Sequence, residues 1–120
     1  MKRIYIGIIL AILVIAVMVV AGCKDDRTAI SSILNQPNNF TGKEVVVAGN
    51  VGKSYEVNLI IANAGVYQLD DGSGKIWVIT RNGIPGEGTQ VGVKGIVSNG
   101  IKLGGESFGT VIREQDRRTR

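Results

Sequence analysis

Two stretches of this 120-residue chain repeat one arrangement of valine and glycine. Gly42-x-x-Val45-x-Val47-x-Gly49-x-Val51 returns as Gly88-x-x-Val91-x-Val93-x-Gly95-x-Val97. Valine at alternate positions describes a strand with one buried face, because successive side chains of an extended chain point to opposite sides. The glycine inside each valine row removes an inward side chain, and a strand can bend sharply there. A sheet that closes on itself needs such bends. Two copies are too few for a solenoid or a propeller. The arrangement therefore predicts two curved strands of one small barrel.

The rest of the chain supplies the partners. Val66 to Asp70 and Lys75 to Thr80 alternate as strands around Asp71-Gly72-Ser73-Gly74, whose residue types suit a hairpin turn. Gly83 to Gly88, with Pro85, is expected to be a loop, and Gly100 to Gly109 a flexible connection before a last strand at Gly109 to Glu114. Ala29 to Asn35 has Ile30, Ile33 and Leu34 at helical spacing and stops before Pro37. So short a helix is stable only when packed on something else. The expectation is an all-β fold, a five-stranded barrel with one short N-terminal helix.

The segments FTGKEVVVAGNV (40–51), VYQLDDGSGKIWV (66–78), GTQVGVKGIV (88–97) and GTVIRE (109–114) resemble the small OB-fold domains loosely called tRNA-anticodon-binding-like. The resemblance spans roughly Ile30 to Arg113 and speaks to barrel geometry more than to activity. It implies an OB-fold whose ligand face lies on the second and third strands. One departure is the connection Arg81 to Thr89, where many OB-folds place a helix. The N-terminal helix is expected to plug the barrel instead. The haem chaperone of cytochrome c maturation shares this barrel, but its haem-attaching histidine has no counterpart here.

Ahead of the barrel, Met1-Lys2-Arg3 is followed by 18 uncharged, mostly aliphatic residues from Ile4 to Ala21. Such a run suits either an export signal or a transmembrane anchor. Val20-Ala21-Gly22-Cys23 resembles the bacterial lipobox, with valine where leucine is commoner. That resemblance implies a lipoprotein signal peptide over 1–22, cleavage before Cys23, and diacylglycerol on its sulfur. Residues 23–28 then form a lipidated tether, 29–114 the OB-fold-like domain, and 115–120 a basic tail. On either reading the domain is held at a membrane and faces away from the cytoplasm, as the positive start also suggests.

Composition narrows the chemistry. Of 14 basic residues, Lys2 and Arg3 precede the apolar run, leaving 12 against 10 acidic. The domain is nearly neutral, so no strong phosphate-tracking field is expected. One cysteine excludes an internal disulfide, and the absence of histidine removes the commonest acid–base side chain near neutral pH. No catalytic, metal or cofactor residues are assigned. Asp70 to Gly74 lacks the alternating ligands of a calcium loop, and the glycines from Gly100 to Gly109 lack a phosphate-loop lysine. If Tyr67, Leu69, Ile76 and Val78 face inward, then Gln68, Lys75 and Trp77 face outward. With Tyr55, expected in the first long loop, and Arg81, they form the candidate ligand face, suited to stacking on a base or a sugar. The competing expectation has Trp77 packing under a loop or against the helix. The partner expected is an envelope protein, peptide or glycan, with nucleic acid as the alternative. The Arg-rich end offers at most a weak attraction to anionic head groups.

Overall fold

The structure, a computed structural model, describes residues 27–58, 63–103 and 105–119. The apolar run and Cys23 lie outside the described residues. Two short helices, α1 (Ile30–Asn35) and α2 (Pro37–Phe40), precede five strands. These are β1 (Glu44–Asn58), β2 (Asn63–Asp70), β3 (Lys75–Thr80), β4 (Gln90–Leu103) and β5 (Glu106–Thr119). They close into a barrel in the order β1-β2-β3-β5-β4, antiparallel throughout except for the β3–β5 pair.

Closure depends on β1 serving two neighbours. Its first part, Glu44 to Asn50, pairs with β4, and the remainder, from Asn50 to Asn58, pairs with β2. Gly49 stands at this handover, and a Cβ there would run into the Asp70 carbonyl. Gly95 is its counterpart on β4, where a Cβ would run into the Arg113 carbonyl and lie 2.7 Å from Ile112 Cγ2. The repeated glycines thus mark two places where backbone meets backbone. The valines between them fill the interior: Val47 and Val93 are fully buried, with Tyr67, Leu69 and Val78 facing them from β2 and β3.

The helix expected to plug the barrel does so. Ile30 and Ile33 are fully buried in the core, while Leu34 remains on the surface. The connection Arg81 to Thr89 contains no helix, and its Ile84 packs against the core.

Four expectations are corrected. Pro37 ends α1 but also starts α2, because proline is well tolerated in the first turn of a helix. Tyr55 lies in β1, which runs well past the valine row. The glycine-rich stretch is largely strand: β4 and β5 continue as a hairpin arm, with Ile101 opposite Gly109 and Lys102 opposite Ser107. Residues 115–119 belong to β5 and pair with β4 instead of trailing off as a tail.

Candidate ligand-binding face

Trp77 lies on the outer side of β3, with Gln68 of β2 and Val111 of β5 directly opposite on its two neighbours. One row further, Tyr55 of β1, Val66 of β2 and Ile79 of β3 stand side by side. Val66 and Val111 point outward by strand parity, yet both are fully buried. The aromatics close over them. Tyr55 and Trp77 have ring centroids 5.7 Å apart at 38°, and Trp77 meets Phe108 edge-on at 5.4 Å and 76°. Such pairs add about 0.5–1.5 kcal/mol each beyond the area they bury. Trp77 is therefore a packing residue and a surface residue together, clamped between two aromatics and neither under a loop nor against the helix. Tyr55 keeps 51 % of its surface exposed.

The supports of this cluster are the two hairpin arms. Tyr55 rides on the β1–β2 arm and Phe108 on the β4–β5 arm, so the aromatic face lies between them. OB-folds take their ligands at this position. Of the five residues singled out in the sequence, Tyr55, Gln68 and Trp77 come together. Lys75 is exposed at the start of β3, opposite Asp70. Arg81 is exposed just past the other end of β3, lining a separate cavity of about 190 Å³ with Glu56, Thr80 and Ile84. Phe108 escaped sequence reasoning because glycines surround it, and the only available signal was its aromatic ring in an otherwise polar stretch.

Two polar clusters hold the barrel behind this face. At the β2–β3 turn the Asp71 carboxylate accepts hydrogen bonds from the Ile30 amide (2.9 Å), the Ser73 amide (2.8 Å) and the Ser73 hydroxyl (2.6 Å). Partial burial pushes its pKa up, but these donors and the Gly74 amide outweigh it and hold the group below the usual carboxylate range. The expected turn is thus also the pin that fixes α1 to the sheet.

The second cluster surrounds Glu114, whose side chain is fully buried. Tyr67 donates its hydroxyl to Oε1 at 2.6 Å, Thr80 donates to Oε2 at 2.5 Å, and Arg117 Nη1 lies 3.0 Å from Oε1. Arg117 also donates to the Gly83 carbonyl and stands over the Tyr67 ring. Burial, then the hydrogen bond to Glu114, push the Tyr67 pKa well up, so the phenol stays a donor. Among the described residues no buried polar side-chain atom lacks a partner, and no three His, Cys, Asp or Glu side chains gather as metal ligands do. Every acceptor in the Glu114 cluster is already engaged, which makes it a structural lock.

No family model matches the chain, and no curated protein matches it. Solved structures do. The OBody AM3L09 domain, solved bound to hen egg-white lysozyme, is similar over 80 % of this chain and 96 % of its own, with a TM-score of 0.57 and 18 % identity. Asparaginyl-tRNA synthetase from Pyrococcus horikoshii is similar over 68 % of this chain, with a TM-score of 0.50 and 18 % identity. This chain spans only 20 % of the synthetase. Ring closure, strand order and these likenesses agree: the domain is an OB-fold-like barrel of five strands.

Proposed function

We propose that this chain is a non-enzymatic binding or assembly module of the cell envelope, held on the extracytoplasmic side of a membrane by lipid on Cys23. The observation that carries the binding role is the Tyr55–Trp77–Phe108 cluster, set between two arms on the side where OB-folds take ligands. Aromatic surface with a half-buried glutamine beside it favours a partner with apolar faces and hydrogen-bonding groups, such as a peptide or a glycan. The lysozyme complex of the OBody domain supports a protein partner for a barrel of this build. The anchor rests on the lipobox-like Val20-Ala21-Gly22-Cys23 at the end of the apolar run.

Trp77 is the only tryptophan, so its emission reports on this face alone. Fractionated envelope peptides and glycans titrated into the full chain should shift that emission, and Phe108→Ala should weaken binding at least tenfold. Emission that no fraction moves would sink the reading. The anchor is tested separately by mass: the wild type should carry acyl mass on Cys23, and Cys23→Ser should keep its full length and gain none.

A second reading, a nucleic-acid-binding module, is favoured by exposed Lys75 at the start of the strand that carries Trp77 and by exposed Arg81 just past its end. Stacking one base on an aromatic is worth about 1–3 kcal/mol. Salt-dependent binding of single-stranded DNA, lost in Trp77→Ala, would establish it over the first.

A further inference from the structure

The outer surface of β1, β4 and β5 holds a groove of about 650 Å³ that the aromatic face does not share. In the ring order β4 stands across the barrel from β2 and β3, so this groove faces away from Trp77. Its floor is made of small residues, Val46 and Ala48 on β1 and Gly92 on β4. A Cβ on Gly92 would meet nothing within 4 Å. The sheet register sets the walls. Arg27, Val46, Lys94 and Asp116 form one row across the strands, and Ala48, Gly92 and Arg118 form the next.

Charge on the molecule is uneven. The lining of this groove carries Arg27, Lys94 and Arg118 against Asp116, with Lys94 3.4 Å from Glu44 at its rim. With the Glu114–Arg117 pair set aside, the rest of the described domain has six basic and six acidic residues. All of the net positive charge therefore lies on the groove side.

Arg27 also fixes where the tether leaves the domain. It bridges β1 at Val46, and the next residue, Thr28, donates its amide to the Val46 carbonyl at 2.7 Å. Cys23 is four residues earlier, a contour of at most about 14 Å. A head-group layer is about 5–7 Å deep and the Debye length about 8 Å at physiological salt. A chain anchored at Cys23 thus keeps this groove within electrostatic reach of the lipid surface.

We infer that the groove docks the phosphate of an anionic phospholipid head group and so fixes which side of the domain faces the membrane. The inference rests on the membrane anchoring proposed above. Arginine forks match phosphate oxygens, the open floor at Gly92 admits the group, and Asp116 can accept a glycerol hydroxyl. The aromatic face is then presented outward. Fixing the domain's orientation this way supplies the second signal that a lipid anchor gains from a basic surface.

The test uses the full chain in vesicles of phosphatidylcholine, with and without phosphatidylglycerol. Flotation first reads attachment, and a chain that does not float refutes the anchoring and not the groove alone. A fluorophore on Gln115→Cys, exposed beside the groove but outside its lining, is compared with one on Gln68→Cys for quenching by lipids that carry a nitroxide on the head group. Both variants carry Cys23→Ala and a lipid-conjugated residue in place of the native anchor, so only one thiol takes the dye. Quenching at Gln115 should exceed that at Gln68 about threefold and rise with phosphatidylglycerol, and Lys94→Gln with Arg118→Gln should abolish the rise. Equal quenching at both positions, or quenching at Gln115 indifferent to phosphatidylglycerol and to those substitutions, overturns the inference. Binding of free glycerol phosphate as tight as that of the lipid would overturn it too, in favour of a soluble ligand.

Discussion

The barrel is closed differently at its two ends. Near Lys75, at the start of β3, α1 lays Ile30 and Ile33 into the interior, and Asp71 ties the helix down. Near Thr80, at the far end of the same strand, closure falls to the Glu114 carboxylate, with Tyr67, Thr80 and Arg117 around it. The first closure works by area. Each isoleucine taken from water contributes about 1.5–3 kcal/mol, and the contribution scales with the atoms kept. The second works by complete pairing, because a buried charge is tolerable only while every lone pair has its donor. An apolar plug should degrade gradually under substitution; a polar one should fail at the first missing partner.

The sharpest way to break this comparison is to remove one half of the ion pair. Glu114→Ala leaves the Tyr67 and Thr80 hydroxyls without their acceptor and the Arg117 guanidinium without its counter-ion, and should cost about 3–5 kcal/mol in urea unfolding. Glu114→Leu combined with Arg117→Met removes both charges and should cost much less than Glu114→Ala alone. Equal losses for the single and double changes would show that packing, and not pairing, dominates at that end.

At the helix end the corresponding change is Ile33→Ala. Loss of buried methylenes should lower stability by about 2–4 kcal/mol. Ile33→Val should cost only about 1 kcal/mol, the gradual response that the polar end lacks. A steep loss for valine would erase the distinction between the two closures.

The two ends also differ in how far they can be read from sequence. The helix end is local: Ile30 and Ile33 stand at helical spacing, and Pro37 marks the stop. The polar end depends on a bulge. Lys94 opposes Asp116 while its neighbour Gly95 opposes Glu114, so Gln115 is left over. Glu114 and Arg117, three residues apart, consequently face the same interior. A strict period of two puts Arg117 outside, and the segment then looks like a solvated tail. The aromatic face divides in the same way. Gln68 and Trp77 follow from strand parity, whereas Tyr55 and Phe108 depend on arms whose length no local pattern announces. The valine rows were legible because burial imposes them residue by residue. Cross-strand register is a property of pairs, and one chain read along its length does not display it.

Glycine offers a finer test of the barrel between those ends. Gly92 and Gly95 lie three residues apart on β4, but only Gly95 has backbone where its Cβ would stand. Gly95→Val should lower the unfolding midpoint by the equivalent of about 1–3 kcal/mol. Gly92→Val should be neutral or slightly stabilising, since valine suits an open strand position. Gly49→Val should behave like Gly95→Val, because the Asp70 carbonyl blocks it in the same way. Tolerance of valine at both Gly49 and Gly95 would argue that the strands do not bend into a closed ring.

The smallest effect is expected at the pin. Asp71→Asn keeps the shape of the side chain but gives up the charge that the Ile30 and Ser73 donors favour, at a cost of about 1 kcal/mol. Its acid dependence has a definite sign. The carboxyl titrates lower in the folded chain than in the unfolded one, so its contribution is fully present above the unfolded value, near pH 4. As pH falls through the folded value, the chain that unfolds binds the proton more readily and the contribution disappears. Urea midpoints followed from pH 6 downward should therefore drop more steeply below about pH 4 for the wild type than for Asp71→Asn. Parallel acid limbs would mean that the hydrogen bonds to Asp71 hold α1 no better when the group is charged. The helix would then stay in place through Ile30 and Ile33 alone, which is the purely apolar closure in its strict form.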